Sequence, residues 1–242
     1  MRGSMNEIDA QRNGYVKWAV DSKHGLRAPE LQLVRADLIA KFMVLSRVPS
    51  SRISWMTIIG AAIVVRPGDH THAVAEIIEG IERQIAKRCR SKLPGMRLRG
   101  AHEIDVMARS ALRCAPHKRA LISALGVDVD AIEPDQRVLV VHLHCVIDRA
   151  DHSADKVSQH FRAAFPGSYR TMAKPLESDK NVGDNLTQLA KYCTKFKVAY
   201  SDSWCDRKTR YAGRYEDEWV DTIAFTIQGI GLDRIVFSYG GA

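Results

Sequence analysis

The sequence lacks several features that would place it in a specialised class of protein. It has no apolar run of the roughly 18 to 20 residues that a membrane-spanning helix needs, and no charged-then-apolar leader. No internal repeat and no low-complexity tract is present. Cysteine is scarce and odd in number, at Cys89, Cys114, Cys145, Cys193 and Cys205. Without a C-x-x-C pair, these cysteines favour neither a disulfide framework nor a zinc ribbon. We therefore expect a soluble cytoplasmic protein with no membrane association.

Positive charge and apolar residues are abundant. The 36 Lys and Arg residues against 28 Asp and Glu give a net charge of +8, which favours a polyanionic partner. A hydrophobic content of 45% in 242 residues suffices for a full core. We interpret residues 1–4 as a vector remnant, residues 5–53 as an N-terminal helical extension and residues 54–242 as one domain.

Hydrophobic periodicity predicts alternating helices and strands. Strands are predicted at 54–65, 97–106, 137–148 and 168–176, where apolar and β-branched residues dominate or alternate with polar ones. Helices are predicted at 29–47, 71–90, 153–165 and 183–200, the first of them peripheral, the third capped by Ser153 and the fourth opened by Asp184. Residues 107–135 read as a basic, partly helical excursion, and a last helix and strand close the chain.

The order strand, helix, strand, strand, helix, strand predicts an α+β fold. It is the split β-α-β pattern of ferredoxin-like (RRM-like) folds, with an antiparallel sheet. Helices would cover one face of this sheet, and the other face would carry a metal and DNA site.

Two histidines interrupt a strand that is otherwise apolar, "VHLHCVID" at 141–148. His142 and His144 project to the same face of the strand, with Cα atoms roughly 6.6 to 7 Å apart. Cys145 and its apolar neighbours occupy the opposite face, so the histidines need not enter the core. This spacing predicts a pair of metal ligands, whereas the alternative is a pair of packing histidines.

A third ligand is expected from the strand at 97–106. Glu103 lies on its polar face and would meet the histidines if the two strands pair, and Asp105 is the competing carboxylate. His102, on the apolar face, is interpreted as a packing residue. Two imidazoles, one carboxylate and no thiolate favour Mg²⁺ or Mn²⁺ over structural zinc.

The segment "LAKYCTKF" places a tyrosine and a lysine on the predicted helix at 183–200. Tyr192 and Lys195 are three residues apart and would share a helix surface with Gln188. A phenol with a pKa near 10 attacks a phosphodiester only when a metal polarises the phosphate and positive charge favours the phenolate. The structural alternative is an ordinary basic helix surface.

Together, "HLHCVID", the preceding strand with its glutamate and the following "KYCTKF" resemble the HUH endonucleases. The likeness is to their single-tyrosine rolling-circle replication initiators, the Rep proteins of plasmids or phages, and covers roughly residues 54–240. It implies a divalent metal, Mg²⁺ or Mn²⁺, held by His142, His144 and Glu103. It also implies nicking and rejoining of single-stranded DNA at an origin, with Tyr192 forming a 5′-phosphotyrosine and Lys195 beside it.

The resemblance also implies partners. These are single-stranded or hairpin origin DNA together with a host helicase and polymerase, since the sequence has no helicase P-loop. A run that interleaves cations with tyrosines suits base stacking and phosphate binding, and its candidate DNA contacts are Arg207, Lys208, Arg210, Tyr211 and Arg214.

The sequence departs from the family pattern in three places. Its first strand, "WMTIIGAAIVV", lacks a threonine-rich motif, and Gln188 stands where some relatives carry a carboxylate for termination. Asp184 or Tyr200 would then be the alternatives for that step. About 30 residues separate the strand that carries Glu103 from the histidine strand, more than a tight hairpin needs. Two other functions stay open: an HUH transposase or mobilisation relaxase, and a non-catalytic ferredoxin-like module that binds nucleic acid.

Overall fold

The computed structural model describes residues 28–113, 115–194, 199–201, 212–214 and 216–241. The helices are α1 Ala28–Met43, α2 Thr71–Lys92, α3 Arg109–Arg113, α4 Pro116–Ala124, α5 Ala154–Ala164, α6 Val182–Cys193, α7 Asp217–Ile230 and α8 Leu232–Ile235. The strands are β1 Ile53–Val65, β2 Arg97–Met107, β3 Arg137–Asp148, β4 Thr171–Pro175, β5 Ala199–Ser201, β6 Ala212–Arg214 and β7 Val236–Tyr239. Two 3-10 turns, Val44–Arg47 and Ser50–Arg52, connect α1 to β1.

Five of these strands form one antiparallel sheet in the order β4-β1-β3-β2-β7, and β5 pairs with β6 separately. Strands β1 to β4, with α2 and α5 between them, follow the split β-α-β arrangement. The predicted ferredoxin-like α+β fold is therefore confirmed, and β7 extends the sheet beyond β2.

The central strand β3 pairs with both β1 and β2. Glu103 lies directly opposite His142, Ala101 opposite His144 on one side, and Thr57 opposite His144 on the other. Opposed residues of an antiparallel pair project to the same face. The register alone therefore brings polar side chains of three strands together.

The face of the sheet that turns away from these polar residues packs against α2 and α5. Apolar residues of β3, including Leu143 and Cys145, join the buried side chains of α2, such as Ile81 and Cys89, in the main core. Helix α2 has apolar residues at helical spacing, so burying its stripe against the sheet accounts for its position. The prediction that helices cover this face of the sheet is thus confirmed.

The opposite face carries the polar residues, and it is also partly covered. Helix α6 packs on β2 and β3, and α1 packs on α6 and β2. Further along this face, residues of α3, α4 and the following loop form a second apolar cluster with Val138 and Val140. Residues 107–135, which were predicted as a basic, partly helical excursion, therefore pack against the sheet through this second cluster.

Helix α1 packs on α6 and buries Leu38 and Phe42, two apolar residues at helical spacing, and its other side is exposed, as expected of a peripheral helix. The predicted bounds of another helix were wrong. Helix α6 was expected over 183–200 with Asp184 as its cap. It begins at Val182, is capped by the Asn181 side chain and ends at Cys193.

Within the described residues, no helix combines the length and the apolar composition that crossing a bilayer requires.

Candidate metal centre

Three buried side chains, Glu103, His142 and His144, converge on one point of the sheet. His144 Nε2 lies 3.0 Å from Glu103 Oε2, and His142 Nε2 lies 3.2 Å from the same oxygen. The two Nε2 atoms are 3.0 Å apart. The three side chains could therefore bind a metal ion. They lie on β2 and β3, the two strands that were predicted to carry the metal ligands.

The spacing of these atoms suits an ion of small radius. Ligand atoms at right angles around an ion at about 2.0–2.1 Å are themselves about 2.8–3.0 Å apart, close to the separations in this triad. Two neutral imidazoles and a carboxylate are also a common donor set for divalent ions. Of the two candidate carboxylates, the ligand group within the described chain includes Glu103 and not Asp105, which lies opposite Val140.

Two neighbours of His144 were not predicted from the sequence. Thr57 Oγ1 is 2.9 Å from His144 Nδ1, and the Trp55 ring stacks on the imidazole with centroids 5.2 Å apart. Both side chains lie on β1, on the same face as the histidines. Their signal in the sequence was weak, because the segment reads as a near-continuous apolar strand.

Tyr192 lies in the last turn of α6, beside the triad. Its ring meets His144 edge to face with centroids 5.0 Å apart, and it meets Trp55 in the same way at 5.6 Å. The side chain is 36% exposed, so the tyrosine contacts both a candidate ligand and solvent. The predicted nucleophile and the predicted metal ligands are therefore neighbours.

Two nearby titratable groups are not candidate ligands. Burial raises the pKa of the Cys193 thiol well above its usual value, so the group stays protonated at neutral pH. His102 lies on the core face, where its Nε2 is 3.1 Å from Glu82. Burial lowers the pKa of His102, although the contact with Glu82 acts in the opposite direction. His102 is thus the packing residue that was predicted.

Asp184, one of the two alternatives for the termination step, lies away from Tyr192. Asp184 bonds with the Asn181 side chain at the far end of α6, eight residues and about 12 Å of helix rise from the tyrosine. Gln188, one turn before Tyr192, accepts a hydrogen bond from Lys180. Neither group is a carboxylate adjacent to the phenol.

Several predicted site residues lie outside the described residues, namely Lys195, Arg207, Lys208, Arg210 and Tyr211. Only the backbone of Arg214, in β6, and of Tyr200, in β5, is described. The predicted DNA surface and the lysine of the tyrosine motif therefore stay predictions.

Comparison of this chain with protein-family models, with curated proteins and with solved structures gives no match.

Proposed function

We propose that this protein is an HUH-type endonuclease that nicks and rejoins single-stranded DNA, acting as a rolling-circle replication initiator. One observation carries the proposal: the ring of Tyr192 is in edge contact with His144, one of three side chains that could hold a metal ion. A partly exposed tyrosine next to a buried imidazole-carboxylate triad suits phosphodiester transfer to tyrosine, with a bound metal polarising the phosphate.

The metal proposed for the triad is Mg²⁺ or Mn²⁺. Both ions favour oxygen ligands, such as the Glu103 carboxylate, and keep positions for phosphate oxygens, and the two imidazoles would complete the set. When bound, the ion would polarise the scissile phosphate and offset the charge that builds up on its oxygens. Glu103, His142 and His144 would hold it, and the buried carboxylate would balance part of its charge.

The proposed covalent step uses Tyr192 as the nucleophile. Its hydroxyl oxygen forms a bond to phosphorus while the bond between phosphorus and the 3′-oxygen breaks. The phenol proton is lost to solvent, and the departing 3′-oxygen takes up a proton to become a free 3′-hydroxyl. The product is a 5′-phosphotyrosine, which keeps the energy of the phosphodiester, so attack by a 3′-hydroxyl can rejoin the strand without ATP.

A covalent-adduct assay tests the proposal. The protein is incubated with Mn²⁺ and a labelled pool of random-sequence single-stranded oligonucleotides, then separated on a denaturing gel. Wild type is expected to give a shifted, labelled band and Tyr192→Phe none. Tyr169→Phe is the matched control, because Tyr169 is a solvent-exposed tyrosine outside the triad. Sequencing the captured DNA would define the nicked site.

The rival function is a non-catalytic module that binds nucleic acid. It is favoured by the contact between the two imidazoles, because the histidines can then be hydrogen-bond partners for each other in a buried site without a metal ion. This function predicts retained DNA binding with no adduct in wild type and in Tyr192→Phe alike. Captured sequences would distinguish a replication origin, with its hairpin DNA and its host helicase and polymerase, from a transposon end or a transfer origin.

A further inference from the structure

The hydrogen bond between Thr57 and His144 carries an inference about the metal centre. The two residues lie directly opposite each other on β1 and β3, both are buried, and Thr57 Oγ1 is 2.9 Å from His144 Nδ1. This contact occupies the ring nitrogen that points away from Glu103. The Thr57 hydroxyl can therefore pair with Nδ1 whichever of the two ring nitrogens carries the proton.

The proton on His144 can lie on either ring nitrogen, and the choice matters for the metal. His144 Nε2 is 3.0 Å from both Glu103 Oε2 and His142 Nε2, and if its Nε2–H donates to Glu103 when no metal is bound, Nδ1 is left as an acceptor for the Thr57 hydroxyl. A metal ion needs the lone pair of Nε2, so the proton must then lie on Nδ1. Nδ1–H becomes a donor, and the hydroxyl oxygen of Thr57 must accept.

We propose that Thr57 is a positioning residue that acts through His144, its hydroxyl reversing from donor to acceptor when a divalent ion binds. A hydroxyl is suited to this role because it can donate or accept at one position. Trp55 stacks on the same imidazole and restricts its rotation, so the tautomer can change without movement of the ring. The inference rests on the metal centre of the proposed function.

Removal of the hydroxyl is expected to weaken metal binding. In Thr57→Val the side chain keeps its shape, but the Nδ1–H of ligated His144 would be buried without an acceptor. Partners of metal-ligating histidines typically change metal affinity by about 10- to 100-fold when mutated, and we expect an effect in that range. Thr57→Ser keeps the hydroxyl and is expected to restore the affinity of wild type.

Calorimetric titration with Mn²⁺ tests these variants. Thr222→Val is the matched control, because Thr222 is also buried and hydrogen-bonded, accepting from Gly68 N–H and donating to Glu218 O on the remote helix α7. It is expected to lose stability and keep its Mn²⁺ affinity. NMR of ¹⁵N-histidine protein with Mg²⁺ supplies a second readout. The His144 ring proton should move from Nε2 to Nδ1 in wild type and in Thr57→Ser.

The outcomes distinguish a failure of this inference from a failure of the proposed endonuclease function. Wild-type affinity in Thr57→Val, or equal weakening in Thr57→Val and Thr57→Ser, overturns the role of the hydroxyl. A ring proton that stays on Nε2 in the presence of Mg²⁺ overturns it as well. Wild type that binds no Mn²⁺ overturns the metal centre and this inference together. Weakened binding in Thr57→Val alone supports the inference, even if the adduct assay shows no nicking.

Discussion

Single residues determine whether the triad binds a metal or only itself. Glu103, His142 and His144 form a closed set of contacts in a nearly dry site, where each group has lost most of its contact with water. Such a set is stable without an ion only if protons bridge its members. An ion that replaces those protons binds three donors that the strands already hold in place, so little ordering is needed.

Removal of one imidazole should therefore abolish tight metal binding. We expect His142→Ala to lower Mn²⁺ affinity more than about 100-fold, beyond the range typical for residues that only support ligands. His72→Ala is the control, because that histidine is exposed on α2. Mn²⁺ electron paramagnetic resonance would measure the bound fraction. Unchanged binding by His142→Ala would remove this histidine from the metal centre.

A second buried carboxylate, Asp148, joins the end of β3 to neighbouring segments by hydrogen bonds. Its oxygens accept from the guanidinium groups of Arg52 and Arg97 and from the N–H of Ala150. Burial by itself would raise the pKa of Asp148. The hydrogen bonds from Arg97, Ala150 and Arg52 outweigh it and hold the pKa below its ordinary value. The ionised form is thus the one that the fold stabilises.

This shift makes part of the stability depend on pH. A carboxyl group with a lowered folded-state pKa contributes stability above its unfolded pKa of about 3.9, and loses it as the pH falls through the folded value. We expect Asp148→Asn to lower the free energy of unfolding by about 2–3 kcal/mol at neutral pH. Below pH of about 3.9, the difference from wild type should shrink.

Urea unfolding of both proteins across this pH range measures the effect. Asp151→Asn, an exposed neighbour, should match wild type throughout. A difference that is independent of pH would show that Asp148 acts by its shape and not by its charge.

Among the elements, α1 has a larger role than its sequence suggests. It packs on α6, the helix that carries Tyr192, and Arg35 Nε donates to Thr194 Oγ1 just after that helix ends. Helix α1, which precedes β1 in the chain, thus supports the end of the helix that carries Tyr192. Leu38, Phe42 and Leu45, which all precede β1, belong to the same buried cluster as the apolar residues of the sheet.

A matched pair of leucines on α1 tests this role. Leu38 is fully buried, so Leu38→Ala should lower the free energy of unfolding by about 2–5 kcal/mol. Leu33 is 70% exposed, and Leu33→Ala should change it by less than about 0.5 kcal/mol. Chemical denaturation measures both. Equal small effects would mean that the buried side of α1 adds little to the stability of the fold.

The sequence was informative where an element contains its own pattern. Alternation along β2 and β3 placed Glu103, His142 and His144 on one face, because side chains in a strand alternate whatever the strand packs against. The pairing of β2 with β3 was harder, since a connection of some 30 residues does not fix a register as a tight turn would.

Tertiary contacts decided what the sequence pattern could not. The apolar spacing in α1 shows that one side is buried but not which element covers it. The end of α6 depends on Thr194, whose hydroxyl donates to Ala190 O and accepts from Arg35 on α1. Thr57 was missed for the same reason, because its role exists only when β1 lies beside His144.

At the scale of the whole molecule, the proposed substrate is a polyanion and the protein has a net charge of +8. Binding of single-stranded DNA should therefore release counterions, and its affinity should fall as salt rises. The slope of the logarithm of affinity against that of salt concentration is about −0.7 for each phosphate contact. With about four contacts, a rise from about 50 to 200 mM salt would weaken binding about 50-fold.

This salt dependence is best measured on Tyr192→Phe, because under the proposed mechanism that variant would form no covalent adduct and binding would stay reversible. Fluorescence anisotropy with a labelled single strand gives the slope, and a duplex of the same sequence is the control for strand preference. A slope near zero would contradict a role for the net charge. A steep slope that is equal for the single strand and the duplex would favour general adhesion to DNA, since a nicking site for unpaired DNA must distinguish the two.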